Sequence, residues 1–129
     1  MLRSADHDLA KYLVVLALAD QRDAIEVLRL YFVENVSPSE IEVKLNIARS
    51  RVQSYVQRVR EKVGSQRAHI LLRQLMPKLR AVAPIANGRR CALCNELVVN
   101  MPLTVHIILF HKDYVNRIVR NILDGGGKG

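Results

Sequence analysis

Apolar positions along the chain change their period several times, and each change marks a predicted element. The first run, YLVVLALA from Tyr12 to Ala19, lies in a segment from Ser4 to Asp20 that reads as a helix apolar on nearly every side. Such a helix needs cover from more than one neighbour, so it belongs either in the middle of a helical domain or in a dimer interface. The run is much shorter than the ~20 residues a membrane-spanning helix requires. From Ser37 to Val63 the pattern turns amphipathic. Ser37 is a good N-cap, Pro38 suits the first helical position, and Glu40 completes a capping box. Ile41 and Leu45 then share one face, and Asn46 tolerates the left-handed backbone of a tight turn. Val52, Val56, Val59 and Val63 follow as one buried stripe of a second helix. A short helix, a tight turn and a longer helix are the grammar of a helix-turn-helix.

Beyond this pair the periodicity weakens. A connector from Ser65 to Arg90 starts as a helix, but Ile70, Leu71, Gln74, Leu75 and Leu79 give no clean stripe. Pro77 is expected to kink it or begin a new helix, and Pro84 with Asn87-Gly88 to end it. A single long helix is predicted from Pro102 to about Leu123, with Tyr114, Ile118 and Ile122 as its distal apolar stripe. That stripe needs a partner: the helix-turn-helix, a second subunit or another protein. The glycine-rich tail at 125–129 has little to order it.

Chemistry enters with the only two cysteines. Cys91 and Cys94 precede His106 and His111 in the pattern C-x2-C-x11-H-x4-H. Two thiolates on a turn and two imidazoles about one helical turn apart suit one tetrahedral Zn²⁺. Four protein ligands leave no position for water or substrate, so the expected zinc is structural and no enzyme is expected. Unrelated buried cysteines and histidines are the plainer alternative, which must place both cysteines and two of four histidines together by chance. A Cys91–Cys94 disulfide is a third. With no signal peptide and no further cysteine, a reducing compartment is expected instead. His7 and His69 are isolated and read as ordinary histidines.

The segment CALCNELVVNMPLTVHIILFH resembles a Cys2His2 zinc finger, covering about a fifth of the chain. Val98 stands where that family usually carries an aromatic core residue, Leu103 where it carries a core leucine. The gap between Cys94 and His106 is one residue short of the commonest family spacing. The resemblance implies a ββα-like unit. Its base-reading positions fall among Val99, Asn100, Met101, Pro102 and Val105, and apolar side chains make no bidentate base contacts. This finger is therefore expected to be a scaffold or a protein contact.

The base-reading surface is expected upstream. Off the valine stripe stand Arg49, Ser50, Gln53, Ser54, Gln57 and Arg60, of the types that reach base edges and phosphates. The plainer reading is a solvated helix face, yet Glu61 is the sole acid between Arg49 and Lys62. The stretch from Arg22 to Val63 resembles region 4 of bacterial sigma factors and related stand-alone regulators. VLRLYF matches the helix before the turn, SPSEIEVKLNI the support helix, and ARSRVQSYVQRVREKV the recognition helix. The resemblance implies that Arg49, Ser50, Gln53 and Ser54 face the major groove, with Arg51, Gln57, Arg58 and Arg60 holding phosphates. Ser50 replaces the acid that sigma factors commonly carry beside the first arginine, so promoter specificity does not carry over. The other sigma regions are lacking, and a stand-alone regulator is expected.

Composition sharpens the partner. The net charge is +8, and residues 64–90 hold six bases and no acid, the footprint of a polyanion. With 5% aromatics and no tryptophan, stacking on single strands is disfavoured against duplex DNA. The expectation is thus a mainly α protein: a helix-turn-helix domain over 1–64, a basic helical connector over 65–88, a small ββα-like zinc-binding unit with a long C-terminal helix over 89–124, and a flexible tail. Its expected partners are double-stranded DNA, a second copy of the chain, and a protein on the finger helix. No membrane or small-molecule substrate is expected. A regulator in the cytoplasm of an archaeon, or of a cell hosting one of its viruses, would combine these two resemblances. The rival class is a chromatin or adaptor protein that binds any DNA and recruits a partner through the finger.

Overall fold

The computed structural model describes residues 4–124; the tail expected at 125–129 lies outside them. The fold is mainly helical with one small antiparallel sheet. Helix α1 spans Ser4–Leu18 and α2 spans Arg22–Leu28, running on through a π-helical turn at Arg29–Val33. Then come α3 (Pro38–Leu45), α4 (Arg49–Val63) and α5 (Ser65–Leu79). Three short strands follow, β1 (Ala86–Asn87), β2 (Arg90–Cys91) and β3 (Glu96–Leu97), before α6 (Leu103–Phe110) and α7 (Lys112–Leu123).

Of the two places open to α1, the structure takes the first. Leu9, Ala10 and residues 13–18 are all buried, enclosed by α2, α4, α5, α6 and α7. At its start, the 1% exposed Asp6 accepts two bonds from Arg67 on α5, at 2.5 and 3.2 Å. At its end, Leu18 O accepts the Ile85 N–H at 2.8 Å. A single apolar core runs from Leu9 to Ile122 and takes in Cys91 and Ile107.

The α3–α4 pair forms as its local chemistry dictates. Ser37 Oγ accepts the Glu40 N–H at 3.3 Å, and the Glu40 carboxylate accepts the Ser37 hydroxyl. Asn46 ends α3 in the left-handed region (φ 55°, ψ 51°). Val52, Val56 and Val59 are buried and Val63 half-buried.

Three expectations need correction. The connector helix does have a clean stripe: Ala68, Leu71, Leu72, Leu75, Met76 and Leu79 are buried while Ile70 is exposed. Gln74 misled the periodicity because it sits one step outside that face. Pro77 lies within α5, which ends at Leu79, so Asn87-Gly88 does not end a helix. Instead Asn87 pairs with Arg90 across a two-residue hairpin turn, and Gly88 supplies its positive φ of 63°. Last, the C-terminal helix is broken at His111 (φ −128°, ψ 37°) into α6 and α7. The buried stripe of α7 is Val115, Val119 and Ile122, with Tyr114 and Ile118 only half-buried beside it. Its cover is α1, together with α5, where Lys78 Nζ donates to Ile122 O at 2.9 Å.

Candidate metal centre and nucleic-acid interface

The sheet carries Cys91 on β2, and Cys94 lies in the turn before β3. β1 pairs with β2 and β2 with β3, aligning Cys91 with both Ala86 and Glu96. The chain then turns tightly: Asn95 N–H donates to Cys91 O at 2.7 Å, with Asn95 at φ 62°. Arg90 donates to Asn95 O at 3.0 Å, and Ala92 N–H to Ile85 O at 2.8 Å. Ile85 thus fastens the knuckle to the end of α1, a role no periodicity around Pro84 announced.

Opposite the knuckle, α6 presents His106, 5% exposed, and the helix break presents His111. The break has a geometric consequence. Side chains five positions apart on an unbroken helix diverge by roughly 140°, too far to meet one ion. Turning the backbone at His111 brings its ring within 5.1 Å of His106. Cys91 Sγ lies 3.4 Å from His111 Nε2, and Cys94 Sγ lies 3.4 Å from His106 Nε2. All four donor atoms fall within 4.8 Å of one another. A tetrahedral ion with bonds of ~2.3 Å to sulfur and ~2.0 Å to nitrogen would separate adjacent S and N donors by about 3.5 Å. The four side chains could therefore hold one metal ion. Both cysteines are free thiols, which leaves the disulfide alternative without support.

Burial favours the uncharged form of two of the four side chains. Burial, then the neighbouring His106, lowers the pKa of His111 and favours the neutral imidazole that ligates. Desolvation raises the Cys94 thiol, opposed by the Glu96 backbone N–H and reinforced by the Cys91 sulfur. A cation held there would supply the counter-charge that stabilises a thiolate. Around the cluster, Val98 is buried and Leu103 half-buried, at the positions the finger resemblance implies for its core.

The second candidate surface is α4. Arg49, Ser50, Arg51, Gln53, Ser54, Gln57 and Arg58 are exposed and Arg60 is half-buried. The structure engages these residues unequally. Arg49 pairs with Glu42 on α3 and donates to Ser39 Oγ at 2.9 Å. Arg51 donates to Tyr55 Oη at 3.0 Å and stands 3.9 Å from Asp23. Gln57 donates to the Glu61 carboxylate at 3.3 Å. Burial holds the Tyr12 phenol above its ordinary range, with the nearby Arg58 guanidinium partly offsetting it, and the Tyr12 hydroxyl has no hydrogen-bond partner among the described residues. Among the described residues, Ser50, Gln53 and Ser54 make no side-chain hydrogen bond, so their polar atoms are open to a partner.

Sequence reasoning missed a groove of about 470 Å³ beside this face, lined by Tyr31, Gln53, Ser54, Gln57 and Arg60 and closed by Pro38 and Val56. Arg60 donates to the Tyr31 hydroxyl and lies over its ring, 5.3 Å from the centroid, while its buried Nε has no partner. No carboxylate lines the groove. Tyr31 belongs to the π-helical turn, and only its place in VLRLYF hinted at a role. Of the six connector bases, Arg67, Lys78, Arg89 and Arg90 bond to their own chain, while Arg73 and Arg80 stand exposed.

Among the described residues no helix is long and apolar enough to cross a membrane. Compared with protein-family models, curated proteins and solved structures, the chain matches none.

Proposed function

We propose that this chain is a sequence-specific duplex-DNA-binding regulator of transcription, with α3 and α4 acting as a helix-turn-helix and one structural Zn²⁺ held by Cys91, Cys94, His106 and His111. The observation that carries the reading is the open row of Ser50, Gln53 and Ser54 on α4, flanked by cations and free of acids on its groove side. In this role α4 enters the major groove, and Gln53 offers both a donor and an acceptor to a base edge. Arg58, Arg60, Arg73 and Arg80 neutralise phosphates, and Arg49 exchanges Glu42 for DNA or keeps the two helices at their angle. Four protein ligands fill a tetrahedral ion, which supports a structural metal and no reaction.

A second reading draws on the arginines themselves. Arg49, Arg51 and Arg60 are already held within the chain, which favours a protein that grips any DNA and recruits a partner through the finger. Selection of bound sequences from randomised duplexes, at near-physiological salt, separates the two. A recovered motif is the expected result. Gln53→Ala should then cost about 1–3 kcal/mol on the motif and little elsewhere, whereas Arg58→Ala should weaken all sequences and flatten the salt dependence. Salt-sensitive binding without a motif would move the protein to the adaptor class. Absence of binding would overturn both readings.

A further inference from the structure

One arginine of α4 is held in place without being neutralised. Arg22, Arg29, Arg49, Arg51 and Arg67 each pair with a carboxylate of their own chain. Arg60 is fixed by a neutral group instead. One of its terminal nitrogens donates to the Tyr31 hydroxyl, and the guanidinium carbon lies 5.3 Å from the centre of the Tyr31 ring. Among the described residues its other terminal nitrogen makes no hydrogen bond, and no carboxylate pairs with it. We infer that Arg60 and Tyr31 form the seat of one oxyanion, a backbone phosphate of duplex DNA, with Tyr31 as a positioning residue that aims the arginine. This seat presupposes duplex binding by α4, which the regulator and adaptor readings share.

Charge selects the ligand. Arg60 is half-buried with its Nε closed off from solvent, so it has lost hydration without gaining a counter-charge. The groove beside it, about 470 Å³, has no carboxylate in its wall. Acids close by in the chain are already engaged: Glu61 accepts from Gln57, and Glu34 pairs with Arg29. Rigidity suits a seat. The Tyr31 ring meets Phe32 edge-on at 4.8 Å and lies 6.2 Å from His69, whose Nδ1 is 3.0 Å from Phe32 O. Phe32 is fully buried, so the ring that holds Arg60 is anchored in the core. An arginine already held gives up less freedom on meeting its anion than one waving in solvent.

Placement selects the source of the phosphate. Gln53, Gln57 and Arg60 follow at spacings of four and three, one line along α4 that borders the groove. Arg60 therefore lies ~10 Å further along the helix than Gln53. With Gln53 at a base edge, that distance carries Arg60 off the bases to a strand bounding a major groove ~12 Å wide. A phosphate seated there fixes the register in which Gln53 meets the bases.

The full chain is titrated onto a labelled mixed-sequence duplex over a range of sodium chloride concentrations, as wild type, Tyr31→Phe, Arg60→Gln and the double variant. Tyr31→Phe keeps the ring against Phe32 and His69 and removes only the hydroxyl. Arg60→Gln should weaken binding about tenfold and lower the salt slope by about one phosphate. Tyr31→Phe should weaken wild-type binding about threefold and leave the Arg60→Gln protein unchanged, because the hydroxyl acts only through the arginine. Equal losses in both backgrounds would make Tyr31 merely structural and overturn the inference, as would an unchanged salt slope in Arg60→Gln. Circular-dichroism melts check folding, and Arg60→Met, which keeps an apolar stem over Tyr31, replaces the glutamine variant if that one melts early. Inorganic phosphate should displace the duplex no better than chloride at equal ionic strength. Phosphate competition that vanishes in Arg60→Gln would assign the seat to a free phosphate and overturn the DNA assignment. No binding to any duplex would remove the DNA reading and the seat with it, whereas binding that ignores Arg60 removes the seat alone.

Discussion

Asn46 shows how much one backbone angle can settle. Its φ of 55° lets α4 leave α3 through a turn of only three residues, and Asn is the non-glycine side chain that meets this conformation most easily. A β-branched replacement meets it worst. Asn46→Val should lower stability in urea unfolding by about 1–2 kcal/mol, with Asn46→Gly close to neutral. Equal losses for the two would mean that the Asn side chain, not the backbone angle, matters there. Such local chemistry was legible in the residues: Ser37 as a cap, Asn46 as a turn, and four side chains that come together and could hold a metal. Tyr31 was not. Its contact with Arg60 joins positions far apart in sequence, and nothing local announces it.

At the scale of elements, legibility followed whether a pattern was set locally or by neighbours. The valine stripe of α4 was readable because one face is buried and the others are wet. That of α5 was obscured by Gln74 and Ile70, which sit beside the stripe rather than on it. The break between α6 and α7 could not be read from helix propensity, since no glycine or proline marks it. Its effect is to bring two histidines toward the same pair of sulfurs. This division predicts what metal loss does. Cys94→Ser should release the ion and abolish amide-exchange protection over β1–β3 and α6. Helix α7 should keep much of its protection, because Val115, Val119 and Ile122 pack on α1 and not on the ligands. Undiminished metal content in that variant would refute the ligand assignment.

For the whole molecule the common core outweighs any division into parts. Leu13 is fully buried on a helix that touches α2, α4, α5, α6 and α7. Leu13→Ala should cost about 2–5 kcal/mol and lower a single calorimetric transition rather than one of two. Two separable transitions in the wild-type protein would show that the sheet and α6 melt independently. The sequence patterns announced a helix in need of cover at 12–19 but could not say what supplied it. Part of the answer lay at the other end of the chain, in α7, beside the nearer α2, α4 and α5.

That pairing of first and last helices also bears on synthesis. The apolar α1 leaves the ribosome well before Lys112–Leu123 exists to shelter it. Until translation reaches that stretch, Leu9 to Leu18 stays partly bare, a target for chaperones and a hazard for aggregation. The protein should thus complete its native state only after its C-terminal helix emerges, and a stall within the finger would leave a sticky nascent chain rather than a working half.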